Sequence, residues 1–194
     1  MKTVFDQIVA MIDPGSSVLD LGCDDCSLLE RLIDERGVVG RGVDISEQSI
    51  QACIKKGIGV FHGDLDEGLK DYATDSYDFV ILSRTLQQIH DPVALLSEML
   101  RVGKAAIVNF PNFGYLTNRL QLALGGTMPE NRHLPYSWYN TPNIHFCTRR
   151  DFHRLCRAHG FQIERELYLR NGRTIRTLLP NLFATEVCCT LRAA

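Results

Sequence analysis

Apolar residues along this chain follow two alternating periods. Short apolar runs at Ser17 to Leu21, Val39 to Val43, Ile58 to Phe61, Phe79 to Leu82 and Ala105 to Val108 suit strands of a parallel sheet covered on both faces. Helical spacing returns near the start and between most of the runs, in Phe5, Ile8, Val9 and Ile12, then Leu28, Leu29, Leu32 and Ile33, then Val93, Leu96, Met99 and Leu100. The punctuation agrees. Pro14-Gly15, Gly37, Gly57 and Gly103 stand where helices must stop, Ser27 and Ser46 at cap positions, and Pro92 in a first turn. A further helix is expected from about Leu116 to Leu124, and Thr148 to Asp151 reads as a capping box for a helix ending at Gly160. Two last strands, about Phe161 to Tyr168 and Ala184 to Leu191, have no crossover helix between them and predict an antiparallel hairpin. The whole predicts an α/β fold: a doubly wound, mostly parallel seven-stranded sheet with helices on both faces and a C-terminal antiparallel edge hairpin.

Length sets the scale. The 194 residues suit one domain spanning 1–194, with an irregular lid or insert at about 125–148 that holds Pro129, Pro135, Pro142, Tyr136, Trp138 and Tyr139. A net charge of −2 argues against a broad basic surface for nucleic acid. No apolar run approaches the roughly 20 residues that span a bilayer, and Asp6 and Asp13 interrupt any signal-like start. Seven cysteines without framework spacing fit a reduced, cytoplasmic setting better than a disulfide scaffold.

The candidate chemistry centres on Val18 to Leu29, which reads as a buried strand, a tight turn at Gly22 and a helix start, a place for an anionic or polar ligand. A dinucleotide site wants G-x-G-x-x-G, but after Gly22 this chain offers Asp24 and Ser27. Four places in order resemble instead the class I methyltransferases, Rossmann-like enzymes that use S-adenosylmethionine (SAM): Asp20, Asp44, Asp64-Leu65 and the run Tyr77 to Ser83. The resemblance covers about residues 15 to 110. It implies that Asp44 takes the ribose hydroxyls, for which a carboxylate accepting two protons is suited, with Ile45 next to it in the cofactor site. It implies that Asp64 and Leu65 meet the adenine edge, and that Asp20, Gly22, Cys23, Asp24 and Ser83 complete the cofactor site. Other readings stay open: Asp44 as a cap of the following helix, and Asp64 as a turn residue.

The turn departs from the family pattern, because Asp24 and Cys26 stand where glycines are usual. A non-glycine residue at positive φ costs on the order of 1–2 kcal/mol. A carboxylate ~4 Å from the SAM carboxylate repels it by on the order of 4 kcal/mol at an effective dielectric of 20, before relaxation. Weak or absent SAM binding is therefore expected, with the sign reversed if Asp24 faces the α-amino group instead. Cys23 and Cys26 form a C-x-x-C, but Asp24 and Asp25 oppose a thiolate, so they read as turn cysteines rather than a redox pair. With no second C-x-x-C, zinc is not expected. Asn109 to Asn112 and Asn143 to His145 are placed either at the pocket mouth or in loop hydrogen bonding, and Ser83-Arg84-Thr85 lacks the signature of amino-group methyltransferases on nucleic acids.

The second half narrows the resemblance. Val108 to Gly114, Met128-Pro129, Leu134 to Tyr139 and Thr141 to Thr148, with Gly63 to Leu69 and Leu82 to Gln87, resemble the MetW family of methionine biosynthesis proteins. That family implies a methyltransferase-like fold and association with homoserine O-acyltransferase (MetX), whose acylation of homoserine it supports. Two functions follow: a partner subunit of the acyltransferase, with Tyr136, Trp138 and Tyr139 at an interface, or an active methyltransferase on a small molecule, with Trp138 to His145 as a substrate lid.

Overall fold

In the computed structural model, which describes residues 3–193, five parallel strands run in the order β3-β2-β1-β4-β5 and three antiparallel ones complete the sheet as β8-β6-β7. They are β1 (Ser17–Leu21), β2 (Val39–Asp44), β3 (Val60–His62), β4 (Tyr77–Ser83), β5 (Gly103–Pro111), β6 (Gln162–Arg170), β7 (Arg173–Thr174) and β8 (Glu186–Arg192). The helices are α1 (Val4–Val9), α2 (Ser27–Arg36), α3 (Glu47–Lys55), α4 (Pro92–Val102), α5 (Leu116–Gly125), α6 (Arg149–His159) and α7 (Pro180–Phe183). The expected doubly wound architecture and antiparallel edge are both present. The eighth strand is the two-residue β7, which folds back on the end of β6 through Leu169↔Thr174, too short to leave an apolar signature. Between β6 and β5 lies β8, antiparallel to both.

Strand alternation divides the apolar residues between two cores. Leu19, Leu21, Val80, Leu82, Val108 and Phe110 face α4 and α6, whereas Val18, Ile81 and Ile107 face α1 and α2. Adjacent Cys188 and Cys189 consequently enter opposite cores. Asp20 shares the face of Val18, so a carboxylate enters an otherwise apolar layer at 2 % exposure.

Local signals decide most helix ends. Asp91 accepts from Ala94 N–H with Pro92 in the first turn of α4, and Thr148 with Asp151 forms the expected capping box of α6. One cap differs: Ser27 does not cap α2. Cys26 holds that position with φ +58°, and Ser27 is the first helical residue, its N–H and hydroxyl donating to Asp25 at 3.0 and 2.6 Å.

The irregular stretch between α5 and α6 is ordered through specific contacts. Ile144 and His145 N–H both donate to Gln87 O (2.9 and 3.0 Å), Asn131 Nδ2 donates to Asn118 Oδ1 (2.8 Å), and Phe113 and Phe146 pack at 4.7 Å between ring centroids. The Asn109 to Asn112 run turns out to be structural. Asn109 Nδ2 donates to Val187 O, and fully buried Asn112 donates to Asn181 O and Ala184 O while accepting from Gly114 and Arg149 N–H. Neither asparagine borders the main cavity.

Phe152 of α6 is 1 % exposed and packs on Phe110 of β5 at 4.6 Å. Phe152→Ala is expected to lower stability by about 3–5 kcal/mol in denaturant unfolding; a loss below ~1 kcal/mol would show that α6 does not depend on this contact.

Candidate functional site

The parallel order brings the carboxyl ends of β1, β2 and β4 together, and a cavity of about 620 Å³ opens there. Gly22 makes the exit from β1 at φ +67°, and its N–H donates to Val43 O at 2.8 Å, tying the turn to β2. A Cβ at Gly22 would meet Thr85 Oγ1 at 2.7 Å, so this position excludes a side chain on space as well as conformation. Asp24 (φ +49°) and Cys26 (φ +58°) both hold the left-handed conformation that glycine adopts at least cost. The turn has therefore kept a glycine-type path with other residues.

All nine residues expected from the sequence border this one cavity: Asp20, Gly22, Cys23, Asp24, Asp44, Ile45, Asp64, Leu65 and Ser83. Asp44 does not cap α3, a task Ser46 takes; its two oxygens instead accept from Ser46 N–H and Asp24 N–H, both at 2.9 Å, clamping the ends of β1 and β2 together. Asp64 is a turn residue and a cavity residue at once, accepting from Asp66 N–H at 2.9 Å. Asp25, Asp66, Arg84 and Phe5 also border the cavity and were not expected there. Arg84 follows β4 directly with φ +60° and forks onto buried Glu186 at 3.1 and 2.9 Å. Its place right after a strand end was the available signal. Asn143 and Phe146 border a separate small cavity with Phe113, Met128 and Trp138, not the main one.

Among the described residues, Asp20 Oδ1 and Ser83 Oγ are buried without a hydrogen-bond partner, and both residues line the cavity. Burial pushes the Asp20 carboxyl up to about 8, and the nearby negative charge of Asp44 adds to it. The same causes, burial first and then Asp20 and Asp44, push the Cys23 thiol up to about 12.

The cysteines differ from expectation. The C-x-x-C pair is not the bonded one: Cys26 is joined to Cys53 of α3 by a disulfide, while Cys23 stays free beside it. Spacing along the chain could not show this, because the partners lie 27 residues apart.

Asp20 carries a pH signature. Its folded pKa lies above the ordinary carboxylate value, so the folded state binds a proton that the unfolded state has released. Stability is expected to fall as pH rises from about 4 to about 8, and to level off above that. In Asp20→Asn this component should vanish, leaving a flatter profile of unfolding midpoint against pH; equal slopes in the two proteins would contradict a protonated Asp20.

Residues 2–191 match the family model for the methionine biosynthesis protein MetW. The chain is 37% identical over 172 residues to the bifunctional methionine biosynthesis protein MetXA/MetW of Rhodopirellula baltica. That match covers 84% of this chain and only 28% of the longer relative. Among solved structures, a SAM-dependent methyltransferase from Mesorhizobium loti superposes with a TM-score of 0.71 over 98% of both chains at 18% identity. One from Archaeoglobus fulgidus gives 0.68 over 96% of this chain and 90% of that one at 19% identity. At such identities the likeness establishes the class I methyltransferase fold. With a family match over almost its whole length, this chain belongs to the MetW family of methionine biosynthesis proteins.

Proposed function

We propose that this chain acts as one methyltransferase-like domain, in the cytoplasm, as a partner that supports homoserine O-acyltransferase in methionine biosynthesis. The observation that carries this reading is the R. baltica relative, in which a MetW-like region is named together with MetXA in a single protein. Joining two modules in one chain makes their encounter intramolecular, an arrangement suited to modules that act together. The surface agrees. Trp138 and Tyr139 are 74% and 73% exposed, and Tyr136 and Ile144 beside them are also open to solvent. Trp and Tyr contribute most per residue at interfaces. The 127–147 segment presents these rings outward while its backbone is held to Gln87.

The test is acyltransferase activity with and without this protein, together with size-exclusion chromatography of the mixture. A stable complex with raised activity is expected. The double variant Trp138→Ala/Tyr139→Ala should weaken the complex by about tenfold or more and leave the unfolding midpoint unchanged, because both rings are exposed. Absence of any complex with the wild type would overturn the partner reading.

A second reading concerns the cavity, and the two orphaned buried oxygens favour it. The residues present fit SAM: Asp20 Oδ1 is an unpartnered acceptor suited to an ammonium group, Asp44 offers remaining lone pairs to hydroxyls, and the turn keeps its glycine-type path. When bound, SAM supplies a methyl group on a sulfonium. This chain's own contribution is to hold and orient the ligand; no general base is assigned, and alignment alone is a substantial part of such catalysis. A cationic ligand draws Asp20 toward its charged form, so affinity rises with pH toward about 8.

Asp24 remains the residue set against the ligand's carboxylate. Asp24→Gly is expected to tighten SAM binding by about tenfold in calorimetry, a fraction of the unscreened repulsion. It should also raise stability by on the order of 1 kcal/mol by relieving the left-handed φ. Weaker binding in the variant would place Asp24 at the ammonium end instead.

A further inference from the structure

Three cysteines that the partner role does not use meet beside the cavity. Cys23 comes from the β1 turn, Cys26 from the head of α2 and Cys53 from α3, and they are 5%, 0% and 0% exposed. Their sulfurs all lie within 4.8 Å of one another. Cys23 Sγ is 3.5 Å from Cys26 Sγ and 3.9 Å from Cys53 Sγ. The fold makes room for them: a Cβ at Gly42 of β2 would meet Cys23 Sγ at 2.5 Å and Cys26 Sγ at 3.4 Å.

Three thiolates around one cation at a metal–sulfur distance of about 2.3 Å sit about 4 Å apart. Cys23 already stands near that distance from both neighbours, so only Cys26 and Cys53 must separate, and their Cα atoms are 5.3 Å apart. The electrostatics have one sign. Asp20, Asp44 and Asp24 all oppose a negative charge on Cys23. A d10 cation among three thiolates is net anionic, so these carboxylates oppose the assembled site, and its affinity must come from the metal–sulfur bonds themselves. A sulfur-only set selects soft metals over hard ones.

We propose that, once the Cys26–Cys53 disulfide is reduced, Cys23, Cys26 and Cys53 form a three-thiolate site for a soft d10 metal cation at the wall of the cavity. Reduction by a dithiol passes two electrons to the disulfide and leaves Cys26 and Cys53 as thiols, the dithiol becoming a disulfide. Cation binding then releases the three thiol protons to solvent. The site rests on the cysteines alone and stands whether or not the chain supports an acyltransferase.

The experiment uses the full chain, reduced and without oxygen, titrated with cadmium. A sulfur-to-cadmium charge-transfer band should grow and saturate at one equivalent, and X-ray absorption of the loaded protein should count three sulfur neighbours. Protein with the disulfide intact should lack this band. Cys23→Ser should weaken binding by roughly a hundredfold, the upper end of what losing even a supporting partner costs a metal site, whereas Cys147→Ser should bind as the wild type does. A band of equal strength in Cys23→Ser or in the oxidised protein, or fewer than three sulfurs in the wild type, overturns the proposal. Should Cys23→Ser not fold, the sulfur count on the wild-type protein decides.

Discussion

The carboxyl ends of β1, β2 and β4 lie side by side, and the chain must leave all three without filling the space between them. Gly22 solves this for β1, and its N–H to Val43 O locks the exit to β2. Asp44 extends the lock by accepting from Asp24 and Ser46. Ser83 and Arg84 leave β4 on the far side, with Arg84 tied by Glu186 to the antiparallel edge. The cavity is thus a consequence of parallel strand order, and its walls are held by backbone donors rather than by a packed side-chain plug.

That arrangement gathers carboxylates. Asp20, Asp24, Asp25, Asp44, Asp64 and Asp66 all border one cavity, in a chain whose net charge is only −2. Some of this charge is answered locally: Lys56 pairs with Asp25, and His90 with Asp66. Asp20 is not answered, and burial keeps its proton on. A cavity of this kind discriminates by charge, welcoming cationic groups and resisting anionic ones, which bears differently on the two ends of a zwitterionic ligand.

The parts of the fold readable in the sequence are those written in local chemistry. Strand β1 follows from an apolar run, α4 from Asp91-Pro92, and α6 from Thr148 and Asp151, because caps and alternation act over a few residues. All nine expected site residues reached one cavity, since a βαβ fold places strand-end residues there by topology alone. What was not readable depended on distant partners. Trp138 and Tyr139 face outward in a segment whose 144–145 backbone is held by Gln87, a residue far off in the chain. Ser27 lost its cap role because Cys26 takes a left-handed conformation that composition does not announce.

The cysteines show how one local departure propagates. Replacing a glycine by Cys26 in the β1 turn costs backbone strain of on the order of 1–2 kcal/mol, yet its side chain is fully buried and bonded to α3. A cross-link closing a loop of this size restricts the unfolded chain by about 3.5 kcal/mol in the loop-entropy account, more than the strain it accompanies. The disulfide also fixes α2 and α3 relative to each other, and these helices carry two walls of the cavity. In an oxidised molecule the turn's shape is therefore set by a covalent bond; in a reduced one it falls back on Gly22, Asp44 and their hydrogen bonds. The disulfide thus adds a covalent tie between α2 and α3 to a turn that Gly22 and Asp44 already fasten to β2 by hydrogen bonds.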